Sequence, residues 1–173
     1  MPRMVVIAGP SGGGKSTAFP ASSFEMEFFN ADDRAAALNA GSYRAIPPAV
    51  RAQVNAEFEA FVAGNIRSKI SFAFETTLRT DITLRQAADA KRSGFTVTMK
   101  YLAMGSLQDH LERVAARAEG GGHAASSTTL GRIYEASLRI SRRHYGRLMT
   151  SKSSIVLLSE SALVFFWKAC WEG

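Results

Sequence analysis

Short apolar runs rich in β-branched residues alternate along the chain with longer segments whose apolar residues recur every three or four positions. The runs are typical of buried strands, and the longer segments are typical of amphipathic helices. Because strands that alternate with helices form βαβ units, we expect an α/β fold with a mainly parallel five-stranded sheet and helices on both faces. The predicted strands are Met4–Ala8, Met26–Asn30, Ile70–Phe74, Phe95–Leu102 and Ser154–Leu158.

Proline, glycine and capping residues indicate where the helices begin and end. The predicted helices begin after Pro47-Pro48, at Thr80 or Asp81, at Ser106 and near Leu130. We assign no element to the apolar segment Leu163–Trp171. No repeat, linker or low-complexity tract interrupts this order, which predicts a single domain over residues 1–173.

The composition is that of an ordinary soluble domain, since 46% of the residues are hydrophobic and 21% are charged. One cysteine, Cys170, excludes an internal disulfide framework and a cysteine metal cluster. The apolar run after Met1 lacks the length and the cleavage site of a signal peptide, and no run approaches the roughly 20 residues that span a bilayer. We therefore expect a cytoplasmic protein with no membrane partner.

Residues 9–16 match the phosphate-loop pattern G-x-x-x-x-G-K-[ST] at every fixed position. Glycines let the backbone curl so that its N–H groups point at phosphate oxygens, and the next helix directs its positive end there. Lys15 is expected to neutralise the β- and γ-phosphates of ATP, and Ser16 to bind Mg²⁺. Pro20 predicts that the first helix is short or bent. The residues expected to contact the nucleotide are Gly9, Ser11, Gly12, Gly13, Gly14, Lys15, Ser16 and Thr17.

Positive charge is concentrated in one part of the chain. The formal net charge is +6, and residues 100–152 hold nine Lys or Arg against four Asp or Glu. Such a segment can attract nucleic acid, form a lid that binds phosphate, or present a solvated face. Its occurrence in one chain with a phosphate loop favours the lid, and we do not expect nucleic acid as a partner.

Two carboxylates follow predicted strands, and so they should lie at the sheet edge where α/β proteins bind ligands. Asp32 is placed to accept the proton of an attacking hydroxyl, but Asp32 and Asp33 are equally suited to cap the next helix. Glu75 is placed to bind a substrate hydroxyl or a magnesium-bound water. Thr77 and Arg79 follow it, and an arginine can clamp a diphosphate. The alternative for this segment is a polar turn that caps the following helix.

Two arginines are candidates for a phosphate-binding lid. Arg113 and Arg117 lie four residues apart on one face of a predicted helix, and Arg132 follows the Gly- and Ser-rich segment Gly120–Thr129. A mobile loop between two arginine-bearing helices is typical of a lid. Arg117 and Arg132 are the candidates to stabilise charge on the transferring phosphoryl group, and the alternative is that they are ordinary exposed arginines.

Four blocks of the sequence, in order, resemble the zeta toxin family of phosphate-loop kinases. They are Gly9–Thr17, Phe29–Asp32, Phe74–Thr80, and Gly121–His123 with Tyr134 and Ser137-Leu138 beyond. The second and third blocks are the specific ones, because the first is common to many families. The chain departs from the family at Ser126, where a proline is expected, and at Ile133, where a second arginine is expected.

The resemblance implies a phosphate-loop kinase that transfers the γ-phosphate of ATP to the 3′-hydroxyl of UDP-N-acetylglucosamine. It matches Asp32 to the family's catalytic aspartate and places a phosphate-binding arginine near Arg117. Contacts with the nucleotide sugar are implied for Glu75, Thr77 and Arg79. A protein antitoxin is implied as a partner. The residues also leave open a kinase of another small hydroxyl compound, and a nucleotide-binding regulatory or nucleic-acid-associated module.

Overall fold

The computed structural model of the chain describes residues 1–104, 106–119, 126–148, 154–159 and 162–169. The strands are β1 (Arg3–Ala8), β2 (Glu27–Phe29), β3 (Phe72–Thr76), β4 (Thr96–Met104), β5 (Ser154–Ser159) and β6 (Ala162–Ala169). The helices are α1 (Lys15–Ala18), α2 (Ala31–Leu38), α3 (Pro48–Ser68), α4 (Ile82–Arg92), α5 (Leu107–Glu119) and α6 (Ser127–Leu148). In the described part of the chain, no helix is both long enough and apolar enough to cross a bilayer.

All six strands belong to one sheet with the order β2-β3-β1-β4-β6-β5. The first four are parallel neighbours, whereas β6 pairs antiparallel with both β4 and β5. The α/β fold with a parallel sheet is confirmed, but the predicted number of five strands is wrong, because the sheet has six strands and only four of them are joined by parallel pairing. The physical reason is the connection between β5 and β6. Two residues suffice for an antiparallel hairpin but not for the crossover that a parallel pair needs.

One face of the sheet carries the main hydrophobic core, which is covered by α3, α4 and α6. Phe72 and Phe74 of β3 are fully buried there, and the rings of Phe58, Phe61 and Phe95 lie 5.0–5.9 Å from them. Tilted and edge-on ring pairs of this kind add about 1 kcal/mol beyond the area that they bury. The α3 and α4 helices are therefore held firmly behind the strand that carries Glu75.

In the described part of the chain, the opposite face of the sheet packs against side chains of residues 19–28. As Pro20 predicts, α1 is short and ends at Ala18. The chain then passes through a 3-10 turn at Ala21–Ser23. The side chains that pack against the sheet here are Phe19, Phe24, Met26 and Phe28, which contact Val5, Ile7 and Ala73.

The strand order places a crevice at the carboxyl end of β1. In the sheet, β3 and then β2 lie on one side of β1, and β4 lies on the other side. In the parallel register, Ala8 pairs with Thr76 and with Tyr101, so these strands end at the same edge. Such a switch point is where open α/β sheets bind ligands. The phosphate loop and the residues that follow β2 and β3 therefore share one edge.

Candidate functional site

The loop between β1 and α1 has the backbone shape that its glycines allow. Gly9, Gly12 and Gly14 have φ angles of 137°, 81° and 84°, which non-glycine residues rarely adopt. A Cβ on Gly9 would lie 1.9 Å from the carbonyl oxygen of Leu102 in β4. The Gly9 N–H donates to the Thr76 carbonyl oxygen in β3 at 3.1 Å. The loop is therefore held tightly between the ends of the two strands that flank β1.

We expect Gly9→Ala to lower the free energy of unfolding by about 2 kcal/mol or more, because the added methyl group overlaps backbone atoms and the φ angle is unfavourable. Gly64→Ala is the matched control. Gly64 lies within α3 and a Cβ there would meet nothing within 4 Å, so alanine should be neutral or stabilise by up to about 1 kcal/mol. Urea denaturation of both variants measures the difference. Equal stabilities would show that the loop can relax away from Leu102.

Lys15 and Ser16 both contact Glu75, which lies 59 residues from Ser16 in the sequence. The Lys15 ammonium donates to the carbonyl oxygens of Gly9 and Pro10, each at 2.8 Å, and its Nζ lies 3.4 Å from Glu75 Oε1. The Ser16 hydroxyl donates to Glu75 Oε2 at 3.1 Å. Lys15 is only 4% exposed, so the buried charge is balanced by this carboxylate. The three side chains form one polar cluster at the start of α1.

The position of Glu75 follows from strand pairing. Glu75 lies in β3 opposite Ile7 of β1, one residue before the strand ends, which brings its carboxylate beside the phosphate loop. A capping role does not apply to it, because α4 begins at Ile82 with Asp81 at the N-cap position. Glu75 with Ser16 therefore supplies oxygen ligands of the kind that magnesium prefers, either directly or through bound water.

Thr77 and Arg79 flank a buried turn after β3. Between them, Leu78 has a φ angle of 51° and is almost fully buried, and its N–H donates to Thr76 Oγ1 at 3.1 Å. Thr77 is half-buried and Arg79 is exposed. Within the described residues, no hydrogen bond or ion pair joins either side chain to the phosphate loop. The structure therefore holds them at the same edge of the sheet without bringing them into the polar cluster.

The alternative that Asp32 or Asp33 caps α2 is wrong, because Asn30 performs that role. The Asn30 side chain accepts hydrogen bonds from the N–H groups of Asp32 at 2.9 Å and Asp33 at 3.4 Å. Asp33 in turn accepts a hydrogen bond from the Tyr43 hydroxyl at 2.8 Å. The Asp32 side chain is exposed and makes no hydrogen bond or ion pair with the residues that the structure describes. Asp32 is thus the carboxylate that remains available to a ligand.

Asp32 lies on the same edge as the phosphate loop but at some distance from it. It follows β2, and β3 separates β2 from β1. At the usual spacing of strands, β2 and β1 are about 10 Å apart, with Glu75 on the strand between them. The helix that carries Asp32 is tied to α3 by an ion pair between Arg34 and Glu57, whose N and O atoms lie 2.6 Å apart. The arrangement leaves room for a small molecule between Asp32 and the phosphates of a bound nucleotide.

Helix α5 packs along the phosphate loop and brings three side chains to it, none of which is among the predicted site residues. The guanidinium of Arg113 lies 3.5–3.8 Å from the position of a Cβ on Gly14, at the start of α1. Val114 and His110 approach the corresponding position on Gly12. The spacing of 110, 113 and 114 puts all three on one helix face, but this periodicity does not show which element that face packs against. Arg113 therefore adds a cation beside the loop.

The structure says less about the two arginines that were expected in the lid. Arg117 lies in α5, but its side chain is outside the described residues, as is the segment 120–125 of the predicted lid loop. Arg132 is exposed in α6 and has no hydrogen bond or ion pair to the phosphate loop among the described contacts. Ser126, which stands where the family has proline, accepts a hydrogen bond from the Thr129 N–H at 3.3 Å and so caps the start of α6.

Three observations indicate that the residues at the carboxyl end of β1 fit a magnesium–nucleotide complex. Added Cβ atoms would clash at Gly9 and Gly12, so glycine is required where the backbone must curl. One buried ammonium, that of Lys15, lies at the loop, and the guanidinium of Arg113 lies beside it. The Ser16 hydroxyl and the Glu75 carboxylate form an adjacent oxygen pair. These groups match the phosphates and the divalent cation of such a complex.

Comparison with solved structures supports the same fold. The chain is similar to a structure from the PezAT chromosomal toxin–antitoxin system of Streptococcus pneumoniae, with a TM-score of 0.65 and 16% identity over 96% of this chain and 72% of that one. It is also similar to a protein of Chloroflexus aurantiacus described as a candidate kinase, with a TM-score of 0.59 and 18% identity over 80% of this chain and 79% of that one. The expected zeta-toxin-like phosphate-loop kinase fold is therefore confirmed at the level of the fold.

A third similarity is to a structure of the Pnkp1/Rnl/Hen1 RNA repair complex, with a TM-score of 0.60 and 17% identity. The match covers 82% of this chain but only 46% of that chain, so this protein spans less than half the length of that relative. No protein-family model matches the sequence, and no curated protein matches it.

Proposed function

We propose that this protein is a magnesium-dependent kinase that transfers the γ-phosphate of ATP to a hydroxyl of a nucleotide sugar such as UDP-N-acetylglucosamine, at its 3′-hydroxyl. The observation that carries the proposal is the shared edge of the sheet. It holds the cluster of Lys15, Ser16 and Glu75 on one side and the available carboxylate of Asp32 on the other. A protein that only binds nucleotide has no need of a base in that position.

On the nucleotide side, the backbone N–H groups of the phosphate loop and the start of α1 bind the phosphates. Lys15 exchanges its hydrogen bonds to Gly9 and Pro10 for contacts with the β- and γ-phosphates. Ser16 and Glu75 would hold magnesium, which when bound would supply positive charge to the phosphate oxygens. Glu75 would thus have the role of the acidic residue that holds magnesium in P-loop NTPases.

On the acceptor side, Asp32 accepts the proton as the hydroxyl oxygen attacks the γ-phosphorus. The bond between that phosphorus and the bridging oxygen of ADP breaks, and ADP leaves with the negative charge. Thr77 and Arg79 are proposed to contact the diphosphate of the nucleotide sugar. Because Arg79 is exposed and makes no ion pair within the described residues, it is available for such a bidentate contact.

Arginines of α5 and α6 stabilise the negative charge that spreads over the transferring phosphoryl group. Arg117 and Arg132 are proposed for this role, and Arg113 is the arginine whose guanidinium lies beside the loop. The arginines that α5 and α6 contribute to the positive segment of residues 100–152 are then part of a phosphate-binding lid. A protein antitoxin is the proposed protein partner.

The test is phosphate transfer from γ-labelled ATP to purified UDP-N-acetylglucosamine in the presence of Mg²⁺. The 3′-deoxy analogue is the matched control acceptor, because it keeps every recognition group and lacks only the attacking oxygen. N-acetylglucosamine 1-phosphate tests whether the nucleotide part is needed. We expect transfer to UDP-N-acetylglucosamine and none to its 3′-deoxy analogue. Transfer only to a different hydroxyl compound would overturn the nucleotide-sugar assignment, and ATP binding with no transfer to any acceptor would overturn the kinase.

A further inference from the structure

His110 is a buried imidazole at the phosphate loop that the proposed phosphoryl transfer does not use. It lies in α5 and is 0% exposed. Its Nε2 lies 3.9 Å from the position of a Cβ on Gly12, and its ring centroid lies 5.2 Å from that of Tyr134 in α6. The His110 ring is therefore held between the phosphate loop and α6. Neither ring nitrogen has a hydrogen-bond partner of normal geometry in the described part of the structure, whereas buried polar groups nearly always have one.

Two positively charged side chains act on this ring. Burial lowers the pKa of the His110 imidazole below its ordinary value. The Ser11 backbone comes near enough to raise that pKa, whereas the charges of Lys15 and Arg113 lower it. Glu75 lies 3.4 Å from Lys15 and offsets part of its charge, and α6 contributes the aromatic ring of Tyr134. The neutral form is the one that this environment favours.

We propose that His110 is a proton-linked residue of the phosphate site, neutral while the loop is empty and protonated when a polyphosphate occupies it. The inference rests on the proposed binding of ATP at this loop and adds a group that responds to it. A bound triphosphate carries several negative charges, which outweigh the charges of Lys15 and Arg113 at the ring. Because the ring is buried, water screens this attraction only weakly.

Protonation also changes the hydrogen bonds that the ring can make. A neutral imidazole has one donor and one acceptor, whereas the protonated ring has two donors. One of these donors can bond to the nearby Ser11 backbone. Since the occupied site binds the proton more tightly than the empty site, linkage requires the affinity for polyphosphate to rise as the pH falls between the two pKa values of His110.

The direct test uses the fact that the chain has three histidines. The double variant His123→Gln, His144→Gln keeps only His110, whose ring protons are then followed by NMR as the pH is changed. We expect a saturating non-hydrolysable ATP analogue to raise the titration midpoint by at least about one pH unit, which corresponds to about tenfold in proton affinity. Adenosine, which has no phosphate, should leave it unchanged. An unchanged midpoint with bound analogue would overturn the inference.

A second measurement uses the unsubstituted chain and His110→Gln. Calorimetric titration with the analogue in two buffers of different protonation enthalpy gives the number of protons taken up on binding. Protons that the nucleotide itself takes up are the same for both proteins. The unsubstituted chain should therefore take up more protons on binding than His110→Gln does, by a substantial fraction of one proton. A merely structural histidine would change affinity and leave the proton count equal, which would refute the proposal. If the unsubstituted chain bound no nucleotide, the proposed function itself would fall, and this inference with it.

Discussion

Lys15→Met is expected to abolish ATP-dependent phosphate transfer while the protein remains folded. The ammonium faces the phosphates in the proposed complex, and the loss of a single preorganised electrostatic contact typically costs about 10²–10³-fold in turnover. Methionine keeps the apolar stem of a side chain that is only 4% exposed, so the change removes mainly the charge. Turnover is measured with saturating acceptor, and folding by thermal denaturation.

The control for this prediction is Lys100→Met. Lys100 lies in β4 opposite Ile7 of β1, and its ammonium is 4.5 Å from the centre of the Phe19 ring. We expect it to lose about 0.5–1 kcal/mol of stability, as for a typical cation–π contact, and to keep its turnover. A folded Lys15→Met protein with turnover near that of Lys100→Met would refute the phosphate-loop mechanism.

Asp32→Asn is expected to bind ATP normally and to transfer phosphate at least about 10²-fold more slowly, the usual contribution of a general base. The amide has nearly the size of the carboxylate but cannot accept the proton. Because Asn30 rather than Asp32 caps α2, the substitution should leave the helix intact. The measurement is turnover with UDP-N-acetylglucosamine, together with the dissociation constant for ATP.

Asp33→Asn is the matched control, one residue along the same helix turn. Its amide oxygen can still accept the hydrogen bond from Tyr43, so stability and turnover should change little. If Asp33→Asn were the inactive variant, the base would be Asp33 and the register of the resemblance would be wrong by one residue. If both variants kept full turnover, neither aspartate would be the base, and a nucleotide-binding module would account better for the fold.

The parts of this protein that sequence reasoning predicted well depend on local rules. The spacing of glycines, lysine and serine in Gly9–Thr17 dictates the curled loop, because the backbone conformation at Gly9, Gly12 and Gly14 is accessible to few other residues. Pro20 likewise limited α1 to four residues. The five predicted strands were recognisable because buried strands carry continuous apolar runs.

Capping and pairing at the ends of these elements were harder to predict. Asn30, Asp32 and Asp33 are all good capping residues, and propensity does not separate them. The choice depends on where the first helical turn begins, and the structure shows that it begins after Asn30. The antiparallel β6 was missed for a similar reason, because an apolar run indicates burial but not the direction in which a strand pairs.

Short-range chemistry therefore determined the phosphate loop, the strands and the existence of two candidate carboxylates in this chain. Pairing of distant segments determined which groups meet. Glu75 reaches Ser16 because β3 lies beside β1 in register, and Arg113 and His110 reach the loop because α5 packs against it after β4. Such contacts join residues far apart in sequence, and their energy comes from the burial of whole elements, so no local pattern in the sequence could specify them.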